Sequence, residues 1–133
     1  MRWIDPATAT RAEQALLARL ERLRVALNRS LQLGAFDLEL QWALYPPGAH
    51  YARHLDAFRG DRARVVSLVL YLNEAWQPCD GGALRLHLGA DTQRDVAPLA
   101  GTLVAFLSDR FEHEVLPANR ERFSLAGWLR RRA

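Results

Sequence analysis

The hydrophobic period of this 133-residue chain changes once, near Gly34, and that change restricts the fold more than any other feature. Up to Leu31 the leucines recur every three to four positions (Leu16, Leu20, Leu23, Leu27, Leu31), while Glu13, Arg19, Glu21, Arg22 and Arg24 point mostly in other directions. This is the pattern of an amphipathic helix. Asp5-Pro6 reads as its N-cap and first helical residue and Gly34 as its stop, which predicts a helix over about 6–33. From Leu38 the period is two: Leu38, Leu40, Trp42 and Leu44 alternate with Glu39, Gln41, Ala43 and Tyr45 until Pro46-Pro47-Gly48 ends the run. Further strands are expected over 51–58, 65–73, 83–88, 102–107, 113–117 and 122–129, separated by turn clusters such as Arg59-Gly60-Asp61, Asp80-Gly81-Gly82 and Ser108-Asp109-Arg110. One helix followed by many short strands predicts a mainly β fold with a supporting N-terminal helix. The architecture expected is a double-stranded β-helix (jelly-roll) barrel over about 37–130, two antiparallel sheets enclosing a pocket.

The length suits one domain over 1–133 with a real core, and half of the residues are hydrophobic against a quarter charged, which excludes disorder. The uncharged stretch 96–107 is too short to span a membrane, and the first residues lack the basic-then-apolar pattern of a secretory signal, so a cytoplasmic protein is expected. A single cysteine, Cys79, excludes an internal disulfide and any multi-cysteine zinc site. The net charge of +3 raises nucleic acid as a partner, but the arginines are scattered apart from Arg130-Arg131-Arg132, and no aromatic-plus-basic strand accompanies them. That argues against it.

The residue types that carry chemistry are few. In Tyr51-Ala52-Arg53-His54-Leu55-Asp56, a histidine and a carboxylate stand two apart. On an extended strand they would share a face and reach one metal ion, with Leu55 turned to the core. A third ligand from a distant strand, for which His113 is the candidate, would complete the two-histidine, one-carboxylate face of non-haem Fe(II) oxygenases. A His-x-Asp pair is common by chance and gains weight only from its surroundings.

Those surroundings are Tyr45-Pro46-Pro47-Gly48 before the pair, then Tyr71-Leu72-Asn73, Trp76 and Gly81-Gly82-Ala83-Leu84-Arg85. Phe106-Leu107-Ser108-Asp109-Arg110, His113-Glu114-Val115 with Pro117, and Arg122 six residues before Trp128 complete the series. With these elements in this order, the chain resembles the Fe(II)- and 2-oxoglutarate-dependent prolyl hydroxylases, in particular the oxygen-sensing enzymes of animals and their bacterial relatives. The resemblance implies His54, Asp56 and His113 as iron ligands, and Arg122 with Tyr71 as anchors for the distal carboxylate of 2-oxoglutarate. Tyr45 and Ser124 would line the co-substrate pocket, while Arg64 at the entrance and Trp128 would meet substrate. Trp76, Gly81 and Gly82 read as architectural, and His50 and His87 as ordinary polar positions.

The activity implied is hydroxylation of a prolyl residue in a protein, with Fe(II), 2-oxoglutarate and O2 consumed or used and succinate and CO2 released. Two other readings stay open on the residues: hydroxylation of a free amino acid or small metabolite, and a non-catalytic metal-binding jelly roll. The chain lacks counterparts of the family's extra N-terminal helices and substrate loop. The sheet surface so uncovered would invite homo-oligomers.

Overall fold

The leucine stripe folds into one helix, but it begins later than Asp5-Pro6 predicts. In the computed structural model, which describes residues 1–57 and 63–132, helix α1 spans Arg11–Leu31 with Thr10 as N-cap. Thr10 Oγ1 accepts the Glu13 N–H at 3.2 Å and Glu13 Oε1 accepts the Thr10 N–H at 2.9 Å, a reciprocal box that satisfies two donors a helix start leaves open. Asp5 organises a turn instead, its carboxylate accepting the Ala7 N–H and its carbonyl the Thr8 N–H. The fixed φ of Pro6 serves a turn as well as a first helical position. At the other end Gln32 takes a left-handed conformation, φ 52, and Asn28 exchanges hydrogen bonds with both backbone groups of Ala35. The chain is thereby turned toward the first long strand.

Glu13 also ties the helix to the sheet. Its carboxylate is buried and accepts the indole N–H of Trp42 at 2.8 Å. The backbone N–H of Thr10 and the Trp42 indole hold its carboxyl down from 4.5 to about 2. A group depressed on folding stabilises the fold above its unfolded value and loses that contribution as pH falls through the folded one. Glu13→Gln should therefore remove part of the acid sensitivity between about pH 4.5 and 2, followed by circular dichroism. Overlay of the two acid-unfolding profiles would contradict the assignment.

Nine strands follow or flank the helix: β1 Arg2–Trp3, β2 Asp37–Tyr45, β3 Tyr51–His54, β4 Arg64–Tyr71, β5 Leu84–His87, β6 Gln93–Val96, β7 Leu103–Leu107, β8 His113–Val115 and β9 Arg122–Arg130 among the described residues. They pair antiparallel in two sheets, ordered β1-β2-β9-β4-β7 and β3-β8-β5-β6. The fold is a jelly roll whose two sheets face one another without closing into a continuous barrel. Alternation divides the larger sheet. Leu40, Val66, Leu68, Leu125 and Leu129 pack under α1 against Leu20, while Ser67, Tyr71, Ser124 and Trp128 face the smaller sheet. Burying each such leucine is worth roughly 1.5–3 kcal/mol, so a register slip of one residue would forfeit the helix contact and fill the pocket face with leucines. Beyond the reach of α1, Leu44, Leu103 and Phe123 are exposed.

Three departures from the sequence reading bear on the site. The strand expected over 51–58 ends at His54, so Asp56 lies in the turn that follows, where the Ala57 N–H bonds the Ser108 carbonyl at 3.3 Å. Leu55 is only half-buried rather than turned into the core. Phe58 and the turn cluster Arg59-Gly60-Asp61 lie outside the described residues. Strands β1 and β6 were not expected: one has two residues, and the other reads Gln-Arg-Asp-Val with no apolar alternation. Pairing supplies what pattern does not, since Arg85 grips Asp95 with two bonds of 2.8 and 3.0 Å across β5 and β6. No helix among the described residues is long and apolar enough to cross a membrane.

Candidate active site

Between the sheets lies a cavity of about 240 Å³, and all the residues singled out from the sequence line it: His54, Asp56 and His113, then Tyr45, Tyr71, Arg122 and Ser124, then Arg64 and Trp128. The register of β3 with β8 puts His54 directly opposite His113, so fifty-nine residues of sequence separation become one cross-strand pair. Asp56 reaches the same point from the turn after β3. Its Oδ1 lies 3.0 Å from His54 Nε2 and 3.4 Å from His113 Nε2, and one ligand atom from each of the three residues falls within 4.8 Å of the others.

The chemistry of these donors fits a cation. Each imidazole turns Nδ1 to a backbone carbonyl, His54 to Ala52 at 2.8 Å and His113 to Phe111 at 3.2 Å. A carbonyl can only accept, so Nδ1 carries a hydrogen, and a neutral ring then presents the lone pair of Nε2 to Asp56. Two such nitrogens converging on a carboxylate oxygen repel unless a proton or a cation lies between them. Burial raises the Asp56 carboxyl, but when the intervening proton is carried by the imidazoles, their N–H groups and the Ser67 hydroxyl outweigh it and hold the group well below the usual carboxylate range. Phe106 packs edge-on against His113 at 4.8 Å and keeps the rings from turning away.

A second feature of the cavity is a buried positive charge. Arg122, at the start of β9, is 2 % exposed, and no carboxylate among the described residues comes within ion-pair distance of it. Its Nε donates to the Gly82 carbonyl at 2.7 Å and one terminal nitrogen donates to the Tyr71 hydroxyl at 3.3 Å. Both partners are neutral. Gly82 thus does more than turn the chain: at φ +71, with a Cβ there 2.9 Å from Ala118 and 3.0 Å from Trp76, only glycine lets its carbonyl meet the guanidinium. Burial pushes the Tyr71 phenol up to about 12, partly opposed by Arg122, so the ring keeps its hydrogen and can donate it to an anion. Tyr45 is raised for the same reason. Ser124 is buried beside them, opposite Tyr71 in the β4–β9 register.

Arg64 and Trp128 line the same cavity and are in contact there. The Arg64 guanidinium stacks 3.7 Å from the centre of the Trp128 ring and is anchored by Glu39 at 3.0 Å. Trp128 does something the sequence did not suggest: its indole N–H donates to Asp56 Oδ2 at 3.0 Å. Ser67 was missed, and Ser108 was read as a turn and motif residue without a place in the site. A lone hydroxyl at the pocket-facing position of Val66-Ser67-Leu68 was the available signal for the first.

Two imidazoles and a carboxylate that could hold a cation, beside a buried guanidinium that could meet a dicarboxylic acid, fit a 2-oxoglutarate-using iron oxygenase. Residues 40–130 match the family model described as the 2OG-Fe(II) oxygenase superfamily, and the chain belongs to it. Within it the chain is similar to prolyl hydroxylases. It superimposes on the crystal structure of a Pseudomonas putida prolyl-4-hydroxylase with a TM-score of 0.92 at 58% identity, covering 98% of this chain and 72% of that one. A prolyl hydroxylase of Trichoplax adhaerens, in complex with a hypoxia inducible factor peptide fragment, gives 0.80 at 30% identity, over 88% of this chain and 55% of that one. The hypoxia-inducible factor prolyl hydroxylase of Caenorhabditis elegans is 41% identical over 90 residues, 65% of this chain but 12% of that protein. The chain therefore spans only a small part of that relative's length.

Proposed function

We propose that this chain hydroxylates a prolyl residue in a protein or peptide, using 2-oxoglutarate and O2 and releasing succinate and CO2. The observation that carries the reading is Arg122: a guanidinium buried without a carboxylate partner among the described residues, in the same cavity as His54, Asp56 and His113. A module that only bound metal would have no use for so costly a charge. Iron held by the three ligands supplies O2 activation coupled to oxidative decarboxylation of the co-substrate. Formal charges support the combination, since a divalent cation, one aspartate, a dicarboxylate and one guanidinium sum to zero.

The protein's own residues do the rest. Arg122 and Tyr71 fix the distal carboxylate, a role for which a planar fork suits better than an ammonium. Leu84, Phe106 and Val115 line the cavity with hydrocarbon, which excludes water and strengthens that ion pair. Arg64 and Trp128 stand at the mouth where a peptide would enter. The prolyl substrate is supported by the likeness to prolyl hydroxylases at up to 58% identity. An exposed, unpaired Cys79 fits a reducing, cytoplasmic setting.

The test is succinate release by Fe(II)-loaded protein with proline-containing peptides, their proline-to-alanine counterparts and free proline. Stimulation by a proline peptide alone, with one oxygen atom added to it by mass spectrometry, is the expected result. Stimulation by free proline but by no peptide would replace the proposal with small-molecule hydroxylation.

A further inference from the structure

The two oxygens of Asp56 have different surroundings. Oδ1 faces His54 Nε2 and His113 Nε2. Oδ2 accepts the Ser67 hydroxyl at 2.6 Å and the Trp128 indole N–H at 3.0 Å. We propose that Ser67 and Trp128 are positioning residues that clamp Asp56 through Oδ2, reserving Oδ1 as its single donor to the cation. The inference rests on the metal-centre reading above.

Each arm of the clamp is braced from behind. Ser67 must give its hydrogen to Asp56, because an ionised carboxylate only accepts. The 2.8 Å contact between Ser67 and Ser108 is then a bond donated by Ser108, and this chain of hydroxyls is dry, with Ser108 at 0% and Ser67 at 2% exposure. The other arm, Trp128, is fixed by the Arg64 guanidinium over one region of its ring and by Trp3, whose ring centre is 6.0 Å away. Arg64 is in turn held by Glu39. Neither donor can swing aside without breaking buried contacts.

The reason for such a clamp is the number of coordination positions. Two imidazoles and one carboxylate oxygen leave positions open for a chelating co-substrate and for O2. A carboxylate that turned to bind through both oxygens would take one of them. Two strong donors on Oδ2 lower its electron density and hold the carboxylate plane, so that arrangement is disfavoured. Groups that orient a ligand in this way typically contribute roughly 10–100-fold to metal affinity.

The experiment is titration of the full chain with Co(II), a redox-stable probe whose visible spectrum reports its coordination, without 2-oxoglutarate. Ser67→Ala and Trp128→Phe are each expected to weaken Co(II) binding by about 10–100-fold and to alter the spectrum. Ser67→Thr, which keeps the hydroxyl, should restore most of the affinity. Trp128→Phe removes the N–H while keeping a ring between Arg64 and Trp3, so it tests the clamp without emptying the site. Circular dichroism checks that the metal-free variants are folded. Folded Ser67→Ala and Trp128→Phe proteins with the affinity and spectrum of the parent would overturn the clamp. A parent protein that bound no Co(II) would instead overturn the metal-centre reading itself.

Discussion

Replacement of His113 by alanine should reduce succinate formation to the rate without enzyme. His113 is one of three candidate ligands that converge among the described residues, and its position is set by β8 pairing with β3 on one side and β5 on the other. Metal binding gives a readout independent of turnover. A ligand present at 100 times its Kd adds about 2.7 kcal/mol to the stability of the fold it binds. For a domain of this size that corresponds to a rise in Tm of roughly 5–10 °C. The parent protein should show such a rise with Co(II), and His113→Ala should lose most of it at the same concentration. Retained turnover by a folded His113→Ala protein would contradict the ligand assignment.

Arg122→Met should separate binding of co-substrate from binding of metal. Truncating one partner of a buried, hydrogen-bonded charge pair costs about 2–5 kcal/mol, or roughly thirty-fold to a few thousand-fold in affinity for 2-oxoglutarate. Co(II) affinity should stay within a few fold of the parent, because among the described residues no hydrogen bond joins Arg122 to His54, Asp56 or His113. Without ligand the variant should be as stable as the parent or more so, since it no longer buries a guanidinium that only a carbonyl and a phenol satisfy. Arg122→Lys keeps the charge and loses the fork, and its affinity should fall between the two. Calorimetry under anaerobic conditions measures all three. Unchanged affinity for 2-oxoglutarate in Arg122→Met would remove Arg122 from the site.

How far the sequence carried the fold depends on how much each element owes to its own pattern. The leucine stripe of α1 and the alternation of β2 are periodic over many residues, β4 and β9 are long and largely apolar runs, and all were legible. Strands β1 and β6 owe their existence to partners, through the Arg2–Trp42 pairing and the Arg85–Asp95 grip, and neither leaves a periodic trace. The bend that removes Asp56 from β3 is likewise tertiary, marked by the Ala57–Ser108 hydrogen bond, while the local residues read as continued strand. His54 and Asp56 were visible as a pair from spacing, with His113 the candidate for a third ligand, but Arg122 and Tyr71 acquired roles through the family resemblance. What neither spacing nor resemblance conveyed is the surroundings of each charge. That Arg122 has no carboxylate near it among the described residues, and that Ser67 and Trp128 share Asp56 Oδ2, depends on tertiary contacts, the last two between residues 11 and 72 positions apart.

The most direct test of the central claim is anaerobic addition of 2-oxoglutarate to the Fe(II)-loaded chain, followed by visible absorption. Chelation of a 2-oxo acid to ferrous iron gives a charge-transfer absorption, and it should appear and saturate stoichiometrically with the protein, and require far more 2-oxoglutarate in Arg122→Met. An Fe(II)-loaded protein whose spectrum did not change on adding 2-oxoglutarate would contradict a site in which His54, Asp56 and His113 hold iron beside an arginine that anchors the co-substrate.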